Sequence, residues 1–170
     1  RGQDAGEYAV PFMLDAMAEA IRNPDYEVKL ADLIETLPQI GQPAIRPLAA
    51  ALQMKNEPLR GEVVRALGRI GYPQGLPYLK LVVETAQSME LRSLASEGIR
   101  LIDPQAANAP AAAMFFQLAE RYYYHDESLA PAKDVDFGNI WFWDAEASKL
   151  VRVEVDQAFF EQRIQTALAV

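Results

Sequence analysis

The chain has no cysteine. That excludes disulfides, thiolate metal sites and thiol nucleophiles together, and leaves the redox compartment open. It has a single histidine, His125. General acid–base chemistry most often uses histidine, and zinc sites as a rule need more than one. His125 follows Tyr122-Tyr123-Tyr124 and precedes Asp126. It reads as a solvent-accessible residue at a helix end, with a catalytic pairing to Asp126 as the competing reading. No apolar run approaches the roughly 20 residues of a membrane span, so no membrane partner is expected. Positive charge is scarce: 16 Lys and Arg stand against 24 Asp and Glu, a net charge of −8. Such a chain is repelled by phosphate backbones unless a basic patch forms locally. Arg65, Arg69, Lys80 and Arg92 are scattered rather than gathered, which argues against nucleic acid as a partner. A Gly-rich phosphate cradle and a Gly-x-Ser-x-Gly elbow are also missing. No catalytic residue, metal or cofactor follows from the residues, and no compartment does.

What is present is a repeat. Leu37-Pro-Gln-Ile40-Gly41 recurs thirty residues on as Leu67-Gly-Arg-Ile70-Gly71, and Ile99-Arg-Leu-Ile102-Asp103 is a looser copy. A fixed period in this range marks stacked helical units that share one elongated core. Each unit divides into two helices. The first helices are expected over 24–40, from about Pro58 to Ile70, and from after Ser88 to Ile102. Their stripes are Leu30, Leu33, Ile34, Leu37 and Ile40; Leu59, Val63, Leu67 and Ile70; and Leu91, Leu94, Ala95, Ile99 and Ile102. These fall at helical spacing. Asn23 is the expected cap of the first, and Gly41 and Gly71 are the expected stops.

The second helices correspond as well. Val10, Met13 and Met17, then Ile45, Leu48 and Leu52, then Leu76, Leu79 and Val83 repeat one apolar pattern, each near a proline (Pro11, Pro47, Pro77). The chain therefore opens on the second helix of an incomplete pair, as expected of a piece of a longer array.

The pairs Val28-Lys29, Leu59-Arg60 and Leu91-Arg92, the ending Ala66 to Gly71 and the run Leu76-Pro77-Tyr78-Leu79 resemble HEAT repeats of the short bacterial type, known as PBS-lyase HEAT-like repeats. The resemblance covers about residues 6–103. Pro38 in the last turn of the first copy and Gly98 at the place of Ala66 depart from it. It implies a mainly α fold, a right-handed α-α superhelix whose second helices line the concave face. Their outward positions would be Arg46, Ala50 and Gln53, then Lys80, Glu84 and Gln87. Arg46, Gln53, Lys80, Glu84 and Gln87 are the candidate partner-binding residues, and a surface so mixed in charge suits a protein or peptide. HEAT-like di-iron hydroxylases need repeated His-Glu pairs, and HEAT-like DNA glycosylases need a basic concave face; this chain has neither.

Residues 104–170 read as a separate aromatic-rich cap after the repeats of 1–103. A low-complexity joint leads into a helix over 112–124, whose Phe116-x-Leu118-Ala119-x-x-Tyr122-Tyr123 is similar to the first helix of a tetratricopeptide repeat. Alternation then replaces helical spacing: Trp141 and Trp143 against Ile140 and Phe142, then Val151, Val153 and Val155 against Leu150, Arg152 and Glu154. Four residues, 145–148, separate the runs, which predicts a β-hairpin. Two strands alone are marginal in water, so one face must pack on helices. A final helix over 157–168, capped by Asp156, offers Phe159, Phe160, Ile164 and Leu168. Asp134-Val-Asp136-Phe-Gly138-Asn139 faintly resembles a calcium loop, but lacks a third oxygen ligand before the Gly and has Ala145 where the loop's Glu belongs. It reads as a turn into the hairpin.

Trp141 and Trp143 are the remaining functional signal, since Trp and Tyr concentrate at binding hot spots; burial against the repeats is the competing reading. The expected function is a non-enzymatic protein-interaction or scaffold module. A lyase or enzyme accessory of the phycobilin type and a purely structural cap are the alternatives.

Overall fold

A computed structural model describes residues 2–124 and 137–169. The helices are α1 (Gly2–Arg22), α2 (Leu30–Thr36), α3 (Ile45–Ala51), α4 (Glu57–Ile70), α5 (Leu76–Thr85), α6 (Met89–Ile102), α7 (Ala111–Tyr123) and α8 (Gln157–Ala169). An antiparallel hairpin, β1 (Phe137–Asp144) and β2 (Lys149–Asp156), precedes α8. The fold is mainly helical, with the expected hairpin and final helix.

Capping sets the ends of the regular first helices. The Asn56 side chain accepts the Leu59 N–H at 3.2 Å, and Ser88 accepts that of Leu91 at 3.2 Å. Gly71 stops α4 in the left-handed conformation (φ 83°, ψ 7°), which residues with a Cβ adopt at a cost. The first copy differs from its expected span. Asn23 accepts the Asp25 N–H in a local turn, and the helix begins only at Leu30. Pro38 has no N–H to donate and its ring crowds the carbonyl four residues back. The α-helix accordingly gives way to a 3-10 turn over Leu37–Ile40.

The helices form two rows. In the first, α4 packs on the 3-10 turn that follows α2, and α6 packs on α4. In the second, α1 packs on α3, α3 on the 3-10 turn leading into α5, and α5 on α7. Leu37, Leu67 and Ile99, the repeated position of the three units, are all buried in one core with Val10, Met17, Leu48 and Leu79. Glycines let the first-row helices approach. A Cβ on Gly68 would stand 2.6 Å from the Gly98 Cα, closer than real side chains allow. Farther along, the array turns polar. Ser93, Ser96 and Arg100 on the outer side of α6 are exposed, whereas Gly61, Val64 and Gly68, thirty-two residues earlier, are buried. Polar outer faces are what the end helices of such stacks require.

Three features place the C-terminal elements. Helix α7 lies beyond residue 103, yet it continues the second row, with Phe115 edge-on to Tyr78 of α5 at 5.2 Å between ring centroids. The hairpin register pairs Asp144 with Lys149 and Ile140 with Val153. Asp144 accepts the N–H groups of Glu146 and Ala147 at 3.0 Å, which holds the four-residue loop. Helix α8 packs on α7 and on both strands around Leu118, Tyr122, Ile140, Phe160 and Ile164.

Candidate functional site

The hairpin lies across the second row, on α3. Successive strand residues point to opposite faces. One face therefore carries Asn139, Trp141 and Trp143, and the other Ile140 and Phe142. The Trp face turns toward the helices. Trp141 is 8% exposed, and Trp143 and Leu150 pack half-buried on the main core. The Ile140 side is closed by α8 at one end and open at Phe142, which is 50% exposed.

Glu7, from the first turns of α1, organises the junction. Its carboxylate accepts the Asn139 side-chain amide at 2.6 Å and the Trp141 indole N–H at 3.1 Å. Arg46 approaches the same carboxylate at 3.9 Å and stacks its guanidinium 4.6 Å above the Phe160 ring. Asn139 also donates to the Tyr8 hydroxyl at 2.8 Å. Arg152 donates to the Asn139 oxygen at 3.4 Å and lies over the Tyr8 ring. Glu7 and Asn139 are buried. A buried charge is tolerated only when paired and hydrogen-bonded, and this one has three partners from two different elements, β1 and α3. A second polar chain runs from Gln42 through Gln74 to the Tyr122 hydroxyl at 3.3 and 3.4 Å. Beside it, loss of solvent first and the neighbouring Tyr122 second push the Tyr78 hydroxyl above the ordinary tyrosine range, against a lowering pull from Arg46.

The structure separates the candidate partner-binding residues. Gln53 and Gln87 are exposed. Lys80 donates to the Ala107 carbonyl at 2.5 Å and holds the 3-10 turn before α7. Glu84 accepts the Ala111 N–H at 3.2 Å with both oxygens. It thereby supplies negative charge at the start of α7, where the helix dipole favours it. Arg46 is drawn under α8 and the hairpin, and Trp141 is occupied by Glu7. Neither offers a free face, because each already satisfies a polar group of this chain.

Glu7 and Asn139 were not among the sequence candidates. The one sequence signal for Asn139 is a polar residue on the same strand face as two tryptophans; Glu7 carries none. His125, Asp126, Asp134 and Asp136 lie outside the described residues, as does the side chain of Phe159.

The most exposed apolar surface in this region belongs to α7. Phe116, Tyr123 and Tyr124 are exposed, Tyr124 at 75%. Phe116 and Tyr123, seven residues apart, share one side of the helix. On α5, Leu81 is exposed as well. An open groove runs along α6, lined by Val83, Met89, Arg92, Ser93, Glu97 and Arg100. Its ionisable groups are engaged: Arg100 binds Glu97, and Arg92 donates to the carbonyls of Ala86 and Gln87. No helix among the described residues is long and apolar enough to cross a membrane.

A family model described as HEAT repeats matches residues 14–100, which is half of the chain. No curated protein and no solved structure matches it.

Proposed function

The chain belongs to the HEAT-repeat family, and from that premise we propose that it is a non-enzymatic module that docks a protein or peptide on the α5–α7 part of its second row. HEAT repeats commonly serve as protein-interaction modules. The observation that carries the assignment is the exposed aromatic side of α7, with Phe116 at 66% and Tyr123 at 63%. Large apolar side chains grouped in the open mark interaction sites. Glu84 and Lys80 hold the start of α7 through the Ala111 N–H and the Ala107 carbonyl, and Gln87 is exposed just after α5. Gln53 lies outside it.

The α1–α3 part of the same row is covered by the hairpin, and α8 packs on the buried side of α7, around Leu118 and Tyr122. We therefore divide the chain after α7, with the repeats running to residue 124 and the hairpin and α8 forming the appended unit. The thirty-residue spacing and the Ala66–Gly71 ending support the short PBS-lyase HEAT-like subtype. We attach no lyase activity to that subtype, since the α6 groove is open, Arg100 is paired with Glu97, and Arg92 is taken up by the carbonyls of Ala86 and Gln87. The acidic balance argues against nucleic acid as the ligand.

Photo-crosslinking tests the assignment. A reactive residue at Gln87 or Tyr124 should capture the same protein, and a Phe116→Glu, Tyr123→Glu double variant of unchanged helical content should lose it. Equal capture from Asp15 on α1, or capture that survives the double variant, would refute it.

A further inference from the structure

Among the described residues, β2 has one strand neighbour, β1. Its other edge meets no strand. An open edge presents a row of N–H and C=O groups to which a further strand can add. Folded proteins usually blunt such an edge with a lone charge or a proline. The edge of β2 has no proline, and its charges, Lys149, Arg152, Glu154 and Asp156, are of both signs. Its sequence, Lys149-Leu150-Val151-Arg152-Val153-Glu154-Val155-Asp156, alternates valines with charges of opposite sign.

That order is complementary to itself. When β2 is laid antiparallel against a second copy with Val153 opposite Val153, Arg152 faces Glu154 of the second copy and Glu154 faces its Arg152. Val151 then faces Val155 on both sides of the axis. Opposite charges and β-branched pairs directly across a ladder are the favourable cross-strand pairs. Parallel pairing would set like charges side by side and is disfavoured by the same rule. The antiparallel arrangement has a two-fold axis through Val153, which is the closed symmetry of most homodimers.

The faces agree with the edge. Val153 and Phe142 share the outer face of the hairpin and are 46% and 50% exposed. Within one chain, Arg152 already reaches Glu154 at 2.7 Å on the exposed surface, so the two groups lie on one side of the strand, while Arg152 also contacts Asn139 and Tyr8. A two-stranded ribbon is marginal, whereas four strands with an apolar face are not.

We propose that β2 is a self-recognition edge, and that two copies of this chain join through it into a continuous four-stranded antiparallel sheet centred on Val153. The pairing is independent of what α7 binds. The net charge of −8 on each chain opposes it at long range. Added salt therefore screens that repulsion and strengthens association, while the two Arg152–Glu154 pairs set the register.

Sedimentation of the whole chain tests this. The wild type should approach twice 18.9 kDa as concentration rises. Val153→Lys places two ammonium groups on the axis and should leave a monomer with unchanged helical content. Arg152→Glu alone and Glu154→Arg alone each oppose like charges and should weaken self-association roughly tenfold, by the size of two reversed cross-strand pairs. An equimolar mixture of those two variants restores both attractive pairs and should dimerise again. A wild type that stays monomeric at every concentration overturns the proposal, as does a dimer that survives Val153→Lys. A mixture no more associated than its components overturns the register, and with it the assignment of β2. A monomer whose β2 edge instead takes up an extended peptide assigns the edge to another occupant and likewise overturns the proposal.

Discussion

The repeat body and the C-terminal unit are stabilised in opposite ways. In the body, Leu37, Leu67 and Ile99 bury aliphatic stripes against neighbours at a fixed period, and Asn56 and Ser88 cap helix starts. In the C-terminal unit, a buried carboxylate more than 130 residues away in sequence holds the hairpin in place. The body thus depends on area removed from water, which tolerates small shifts. The unit adds to its apolar contacts a set of directed bonds, which do not. Packing makes the stack; polar complementarity chooses where the hairpin lands on it.

The sharpest way to break this contrast is a cavity in the body. Leu67→Ala should cost about 2–5 kcal/mol of global stability, the range for a fully buried leucine. A chemical-denaturation curve followed by circular dichroism reads it. If the midpoint is unmoved, the repeated leucine is not part of a shared core.

A smaller effect is expected at the junction. Glu7→Ala leaves the Asn139 amide and the Trp141 indole without their buried acceptor, at about 1–3 kcal/mol for each unsatisfied group. Because the body does not need this bond, helical content should hold while Trp141 becomes accessible to iodide. Unchanged quenching would show that the hairpin is held by packing alone, and would erase the distinction between the two regions.

The smallest effect concerns pH. The Tyr78 hydroxyl keeps its proton in the folded chain above the ordinary tyrosine value of 10.0. In the unfolded chain it ionises near that value. Its contribution is therefore complete below about pH 10 and falls as pH rises further. Tyr78→Phe should flatten the alkaline loss of stability measured by thermal melting between pH 9 and 11, with little change at neutrality. An identical alkaline limb in the variant would place Tyr78 in contact with solvent.

Several elements were legible because their causes are local. The hairpin with its four-residue loop, the start of α4 near Pro58 and of α6 after Ser88, and the stop at Gly71 each follow from a few adjacent residues. Where a local rule had a rival, the reading slipped. Asn23 could cap a helix or close a turn, and it closes a turn. Pro38 was visible as a departure, but its consequence, the change from α to 3-10 geometry, depends on how the carbonyls of the preceding turn are placed. The candidate site was far less legible. Arg46, Lys80 and Glu84 stand at outward positions of a helical wheel, and a wheel carries no information about what later chain segments will cover.

The sequence by itself determined the repeat through its thirty-residue period, and the paired helices and alternating strands through spacings of fewer than ten residues. Only the tertiary structure decided that Trp141 and Arg46 face inward, that Glu84 caps α7, that Phe116 and Tyr123 are exposed, and that β2 meets no further strand among the described residues. Those outcomes depend on which distant segments meet. Such meetings are selected by the summed fit of many weak contacts across the chain, not by any pattern within one stretch of it.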